Sequence, residues 1–414
     1  MAEDAYQLVW THHHILLDGW CTGLVLKELF AFYEAFRRGE TPRLEHSRPY
    51  REYIAWLRQQ DAGHAEKFWR GALQGFTAPT RLGVEPRDGS EVPGAGEIGE
   101  ESLCLSRAST QALEVLARQQ QVTLNTVLQG AWALLLSRYS LEDDVVFGTT
   151  VSGRPAELTG VTSMLGLFIN TLPVRVRVRP QQRTAEYLKA LQEQQVEARQ
   201  YEYSALVDIH GWSEVPRDTP LFESLLVFEN YPVNESLRSQ DGQTLSISAL
   251  RHYDRTNYPL TVVALPGAEL KVDFVYERRR FDAGRVGDIA RHLGHLLEGM
   301  AANPEVPLLD LSMLGEEERH RLLVKWNDTA VEYPAGQLVH ELFSEQARLR
   351  PGAVAVALAD RSLTYGEVEA RSNRLAHHLR SLGVGPEVLV GVCAEWTLER
   401  VVGIVAVLKA GGAY

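Results

Sequence analysis

The chain has 414 residues, of which 45% are apolar and 23% charged, and a formal net charge of −12. That length predicts two domains, and the apolar fraction lets each bury a core, so disorder is not the default. The acidic balance argues against a nucleic-acid surface, which needs clustered Lys and Arg where this chain offers only the short Arg278–Arg280 run.

Cys21, Cys104 and Cys393 lie far apart and form no CxxC pair, so neither a disulfide framework nor a zinc site is suggested. The start, MAEDAYQ, carries acids where a signal peptide needs a basic region, and the apolar run Val401–Leu408 is far short of a membrane span. A soluble, cytoplasmic protein that engages neither membrane nor nucleic acid is expected.

In chain order, Tyr6–Trp10 reads as a short buried strand leading into His12, His13 and His14. After Gly19, Leu26, Leu29, Phe30, Tyr33 and Phe36 recur at helical spacing, and Arg37, Arg38 and Gly39 supply a basic last turn and a stop. A second helix is expected across Arg51–Trp69, and the Gly/Pro/Glu-rich stretch Gly83–Glu101 marks a lobe junction. Thr123 can cap a helix carrying Val127, Leu128, Ala131, Leu135 and Tyr139; strand Val145–Val151 follows and ends in the turn Ser152-Gly153-Arg154-Pro155.

The segment Leu172–Val178 alternates apolar residues with Arg175, Arg177 and Arg179, so one face of this strand should be solvated or pair with acids. A Gln- and Glu-rich helix is predicted from Thr184 to Tyr201. Strands are predicted at Leu225–Phe228, Leu245–Ala249, Leu260–Val263 and Leu270–Tyr276, and a helix at Val286–Met300. Asn303–Glu332 has the prolines, charges and Asn-Asp pair of a linker region, after which the pattern restarts as helix, strand, turn, helix, strand. The fold class is mixed α/β, and no fixed-period repeat is visible.

His13, His14, Asp18 and Gly19 make an HHxxxDG pattern at the end of the first predicted strand. An imidazole titrates nearest neutrality, so one held there can accept a proton from an attacking amine or hydroxyl. An Asp followed by Gly suits a tight turn and can fix the backbone by an ion pair or by bonds to main-chain amides. A metal-binding histidine run is the other reading of these residues, weakened because no third ligand follows at usual spacing.

HHxxxDG at a strand end resembles the active-site signature of the chloramphenicol acetyltransferase-like superfamily, which includes the condensation domains of nonribosomal peptide synthetases. Further segments follow in that family's order. Tyr50–Trp56 resembles its aromatic helix motif, Ser152–Pro155 its strand-end turn, and MLGLFINT (164–171) the next motif. Pro220-Leu221-Phe222-Glu223 resembles its PFE-type motif, and Arg255–Leu260 its SRNPL-like one. The resemblance implies a chloramphenicol acetyltransferase-like condensation fold with an incomplete N-terminal lobe over residues 1–315, and therefore an exposed apolar face where that lobe would pack.

Carried over by motif position, the resemblance implies that His14 is the catalytic residue, with His13, Asp18 and Gly19 supporting it. The motif Asp pairs with an arginine in the family, and Arg154 is the candidate. Asn257 either donates a hydrogen bond near the reacting centre or caps the turn before Pro259, the second being favoured. Cys21 departs from the Ser usual in the family and reads as a small buried residue. The implied reaction is attack by the α-amine of an acceptor aminoacyl thioester on a donor aminoacyl or peptidyl thioester, both carried by phosphopantetheine. The implied partners are upstream and downstream peptidyl carrier domains and the rest of the synthetase, and no cofactor or metal is expected to bind this chain directly. WTHHHILLDGW and GLFINTLPVRV look most like domains joining an L-configured donor to an L-acceptor.

In residues 338–414, which follow a predicted linker at 316–337, Leu363–Val368 resembles the first adenylation core motif and Leu408–Tyr414 the start of the second. Leu375, Leu379 and Leu382 share a helix face that Gly383 ends, and Val388–Val392 reads as a buried strand. ATP and Mg would be needed only by an adenylation remainder beyond these residues, and Lys409 is not its catalytic lysine. Two rivals stand beside the synthetase reading: a coenzyme A-dependent acyltransferase of the same superfamily, and an inactive docking or scaffold fragment. On the leading reading the isolated chain is expected to be inactive.

Overall fold

The structure is a computed structural model that describes residues 8–44, 46–83, 98–229, 256–332 and 336–414. Its contacts divide the chain into two compact units, Met1–Leu323 and Val324–Tyr414.

The first unit is built on a six-stranded mixed sheet of order β1-β6-β5-β4-β2-β3. Its strands are β1 (Ile98–Cys104), β2 (Asp144–Val151), β3 (Asn170–Arg177), β4 (Ser224–Phe228), β5 (Leu260–Leu265) and β6 (Lys271–Glu277). The β2–β4 and β4–β5 pairings are parallel and the others antiparallel. Parallel strands are covered on both faces, which is why β2, β4 and β5 read as near-continuous apolar runs. Helices α4 (Arg107–Gln120), α5 (Leu124–Ser140), α6 (Thr184–Arg199) and α8 (Ala283–Ala302) lie on one face. There Leu128, Trp132, Leu135, Phe147, Phe274 and Leu293 form the main core. On the other face α3 (Ala62–Leu73) and α7 (Leu206–Trp212) close over Val146, Leu172 and Phe222 through Trp69, Leu73 and Ile209.

Local signals explain the boundaries. Thr123 caps α5 by accepting from Thr126 N at 3.1 Å. The single helix expected over Arg51–Trp69 is two, α2 (Arg51–Leu57) and α3, because Asp61 accepts from Gly63 N and His64 N and starts a new helix. Ile98–Glu101, read as lobe junction, already belongs to β1, paired with Val275, Phe274 and their neighbours in β6. The predicted strand Leu245–Ala249 lies outside the described residues. The expected strand before the histidines does not form in residues 8–10: Leu8 and Val9 are 68% and 77% exposed, and no strand among the described residues runs beside them to take up their backbone groups.

Helix α1 (Gly19–Arg37) buries Cys21 and Leu26 but leaves Phe32, Tyr33 and Phe36 exposed, as are Ile15 and Leu16 before it. This is an apolar surface facing solvent. Residues 316–323, read as the start of the linker, form helix α9, whose Glu318 bonds to Arg291 and His292 of α8.

The second unit holds α10 (Val339–Leu349), the hairpin β7 (Val354–Leu358) and β8 (Arg361–Thr364), α11 (Tyr365–Ser381) and α12 (Leu398–Ala410). Thr364 and Glu367 form a reciprocal capping box at the start of α11. Lys409 is 8% exposed and ties α12 to α11 through Glu369 at 2.6 Å and Asn373 at 2.8 Å. The buried strand expected at Val388–Val392 is instead an irregular segment with one bridge, Leu389 to Ala413, and Leu389 is 82% exposed. No neighbouring strand among the described residues pairs with the rest of that run. No described helix is long and apolar enough to cross a membrane.

Candidate active site

The HHxxxDG segment is a turn held from behind by its aspartate. Asp18 is the N-cap of α1, its Oδ1 accepting from Cys21 N at 3.1 Å, so Gly19 becomes the first helical residue. Its Oδ2 accepts from Phe168 N at 3.0 Å, and Arg154 Nη2 lies 3.3 Å from Oδ1. Both side chains of that ion pair are only 3% exposed. A buried pair of this kind persists only when the remaining polar atoms are also satisfied. Arg154 Nη1 donates to the carbonyls of Val161 and Met164, Nη2 also donates to Cys21 Sγ, and the guanidinium lies 3.9 Å above the Phe168 ring. Its Nε alone has no partner.

The GLF loop is gripped from several sides. Cys21 Sγ donates to Gly166 O at 3.2 Å and accepts from Gly166 N at 3.3 Å; burial pushes this thiol's pKa up, so it stays protonated and able to donate. Tyr50 OH donates to Leu167 O, and Trp20 Nε1 donates to Thr162 O at 2.9 Å. Two glycines make the close approach possible. A Cβ on Gly153, at φ +59°, would stand 1.8 Å from Phe168 O, and one on Gly166 would stand 2.1 Å from the Tyr50 ring.

His13 and His14 are exposed on the turn before Asp18. His13 is tied into the turn: its carbonyl accepts from Leu16 N at 3.0 Å, and its Nδ1 accepts from Ile15 N at 3.1 Å. His14 makes no hydrogen bond among the described residues, which leaves its imidazole available to a ligand. Asn257 stands apart from this cluster. It is exposed in the turn before β5, where the backbone bond to Tyr258 N is made by Thr256 Oγ1 instead. Among the described residues no group of three or more His, Cys, Asp or Glu side chains could hold a metal ion.

Beside Asp18 and Arg154 opens a cavity of about 1090 Å³. Trp20, Trp56, Gln129, Thr149, Gln194 and Gln195 are among the residues that line it. Gln129 is 1% exposed and fully engaged, donating to Asn125 Oδ1 and Thr149 Oγ1 and accepting from Gln195 Nε2. The arrangement offers a space of mixed polar and apolar lining, with a rigid ion pair among the groups that border it. The sequence reading missed this wall. Its one signal was the Gln-rich stretch of α6, which supplies Gln194 and Gln195.

Residues 1–323 match the family described as condensation domain. The chain belongs to the condensation-domain family. Beyond that domain, residues 343–414 match the family described as AMP-binding enzyme. Among relatives, the chain is 46% identical over 417 residues to a linear gramicidin synthase from Brevibacillus parabrevis, aligning 100% of this chain with 5% of that protein. It is 40% identical over 415 residues to bacitracin synthase 3 of Bacillus licheniformis, aligning 100% of this chain with 6% of that protein. The chain thus spans a small part of the length of these curated relatives. A four-domain nonribosomal peptide synthetase in its holo form, bound to AMP and glycine, matches with a TM-score of 0.71 at 19% identity, covering 96% of this chain and 31% of that one. The first condensation domain of the calcium-dependent antibiotic synthetase matches at 0.57 and 18% identity, covering 73% of this chain and 66% of that one. These likenesses establish the chloramphenicol acetyltransferase-like condensation fold with part of an adenylation domain after it.

Proposed function

We propose that this chain carries the amide-forming centre of a nonribosomal peptide synthetase, with His14 as the group that meets the reacting amine. The carrying observation is the buried Asp18–Arg154 pair, which anchors the HHxxxDG turn at the start of α1 and lines a 1090 Å³ cavity in a condensation domain. In this reading an acceptor aminoacyl thioester and a donor aminoacyl or peptidyl thioester, both L-configured, arrive on phosphopantetheine arms of neighbouring carrier domains. The amine nitrogen forms the new C–N bond, the carbonyl carbon's C–S bond breaks, and the amine proton ends on the departing thiol. His14 accepts that proton in transit or holds the amine and stabilises the charged intermediate. His13 and Gly19 shape the turn; Asp18 and Arg154 lock it.

A positioned base contributes roughly 10²–10⁴-fold, and holding both thioesters together contributes more through effective molarity. Accordingly, His14→Ala within the intact module is expected to slow dipeptidyl-carrier formation at least tenfold, followed by mass spectrometry of the loaded carrier. Near-normal formation by that variant would sink the assignment. ATP and Mg belong to the adenylation chemistry of the whole synthetase.

A further inference from the structure

Of the carboxyl groups that line the cavity, Glu114, Glu157 and Glu202 have no part in the chemistry described above. Glu202 follows α6 in a segment whose backbone is pinned: Asn170 Nδ2 donates to the carbonyls of Glu202 at 2.8 Å and Ser204 at 2.7 Å. Next to it the Tyr203 ring stands edge-on to Trp56 at 6.2 Å, and Trp69 Nε1 donates to Ser204 Oγ at 3.1 Å. The Glu202 side chain lines the same cavity as Asp18, Trp20, Trp56 and Arg154. It is half-buried, yet no side chain or backbone group among the described residues lies within hydrogen-bond or ion-pair distance of its carboxylate.

Burial pushes the Glu202 pKa up; Arg199 draws it down, and Glu157, on the same cavity wall, raises it further. Partial burial of a carboxylate that has no protein donor is a cost to the fold, and the Glu202 oxygens still open onto the cavity. A partner would have to come from what enters there. Its sign can be read from the substrates of the proposed reaction. Thioesters and pantetheine amides are neutral, and phosphate is anionic and repelled by Glu202 and Glu157. The free α-amine of an aminoacyl thioester, with a pKa of about 8 in solution, arrives as a cation at neutral pH; the acceptor always carries one, whereas a peptidyl donor has an uncharged amide at that position.

Resting on the condensation reading, we infer that Glu202 is a specificity-determining residue that receives the α-ammonium of the acceptor aminoacyl thioester on entry, before the amine loses its proton and meets His14. Its fixed backbone and lack of an internal partner make the cavity select an amino acceptor over an uncharged one. Asp18 does not serve this purpose, because Arg154 and two backbone amides already engage both its oxygens.

The test uses the synthetase module that contains this chain and two unreactive ligands, an aminoacyl group amide-linked to aminopantetheine and its α-hydroxyacyl counterpart. Titration calorimetry should show the wild type binding the α-amino ligand at least tenfold more tightly. Glu202→Gln should lose that preference to within twofold with its α-hydroxy affinity unchanged, and Glu202→Asp should retain part of it. Because burial penalises the charge, Glu202→Gln should melt no lower than wild type, so unfolding does not mimic the result. The inference is overturned if the preference survives in Glu202→Gln, if the wild type shows none, or if the wild type binds neither ligand. Normal dipeptide formation by His14→Ala would instead remove the condensation reading and leave a measured ammonium preference standing, so the two fail separately.

Discussion

Asp18 and Arg154 show how far a single pair can set a site. Separated by 136 positions, they meet with both side chains 3% exposed, and each also holds backbone of the 161–168 loop. Removing one partner leaves the other charge buried and unmatched, which costs ~3–5 kcal/mol in pairs of this type. Arg154→Leu and Asp18→Asn are therefore each expected to lower the denaturation midpoint sharply, and the double variant to lose less than the sum. Strict additivity in urea titrations would show that the pair is not coupled. HHxxxDG was legible because its residues are neighbours in the chain. The choice of Arg154 came from a second local motif, and their contact came only from the fold. Glu202 carries no such local signal: an acid between two tyrosines is ordinary until its surroundings are known.

The elements that deliver these residues are strand ends and helix starts, where side chains leave regular backbone. Strand β2 ends at Val151 and the chain turns through Gly153 at φ +59°, aiming Arg154 back at α1. Gly153→Ala forces a left-handed backbone on a residue with a Cβ and drives that atom into Phe168 O, so a loss of about 2 kcal/mol or more is expected. Thermal melts of the variant test this, and an unchanged midpoint would mean that the loop shifts freely. Element type was largely readable from periodicity: the strands at Leu225–Phe228 and Leu260–Val263 and the helix at Val286–Met300 all have counterparts in β4, β5 and α8. The two strands that did not form share one cause. Val388–Val392 and the run before His12 have strand-like composition, but a strand exists only where another lies beside it, and periodicity says nothing about neighbours.

At the scale of the whole molecule, charge pairs brace both units. Burial raises the Asp144, Glu318 and Glu369 carboxyls, but bonds from Arg175 and Arg177, from His292 and Arg291, and from Lys409, Asn373 and Ser344 outweigh it, and all three pKa values end below the usual range. A carboxylate with a depressed folded pKa contributes stability that is full above its unfolded pKa and lost as pH falls through the folded value. Melting temperature is therefore expected to drop as pH is lowered below about 4, where unpaired carboxyls titrate. Asp144→Asn should melt below wild type at pH 7, with the gap closing in acid; a constant gap would mean that the Arg175 pair is not the source.

The alternating arginines of β3 announced one polar face from sequence, and the fold decided that Arg175 on that face would be buried against Asp144 and the carbonyls of Ala72 and Gln74. By itself the sequence determined the α/β class, the order of motifs and the residue types at the turn, because periods of 2 and 3.6 and short motifs are local properties. Only the tertiary structure decided which distant groups meet: Arg154 on Asp18, Cys21 on Gly166, and Glu202 unpaired in the cavity wall. Those contacts depend on how the strands line up and which helix faces pack together, and no stretch of a few residues encodes that.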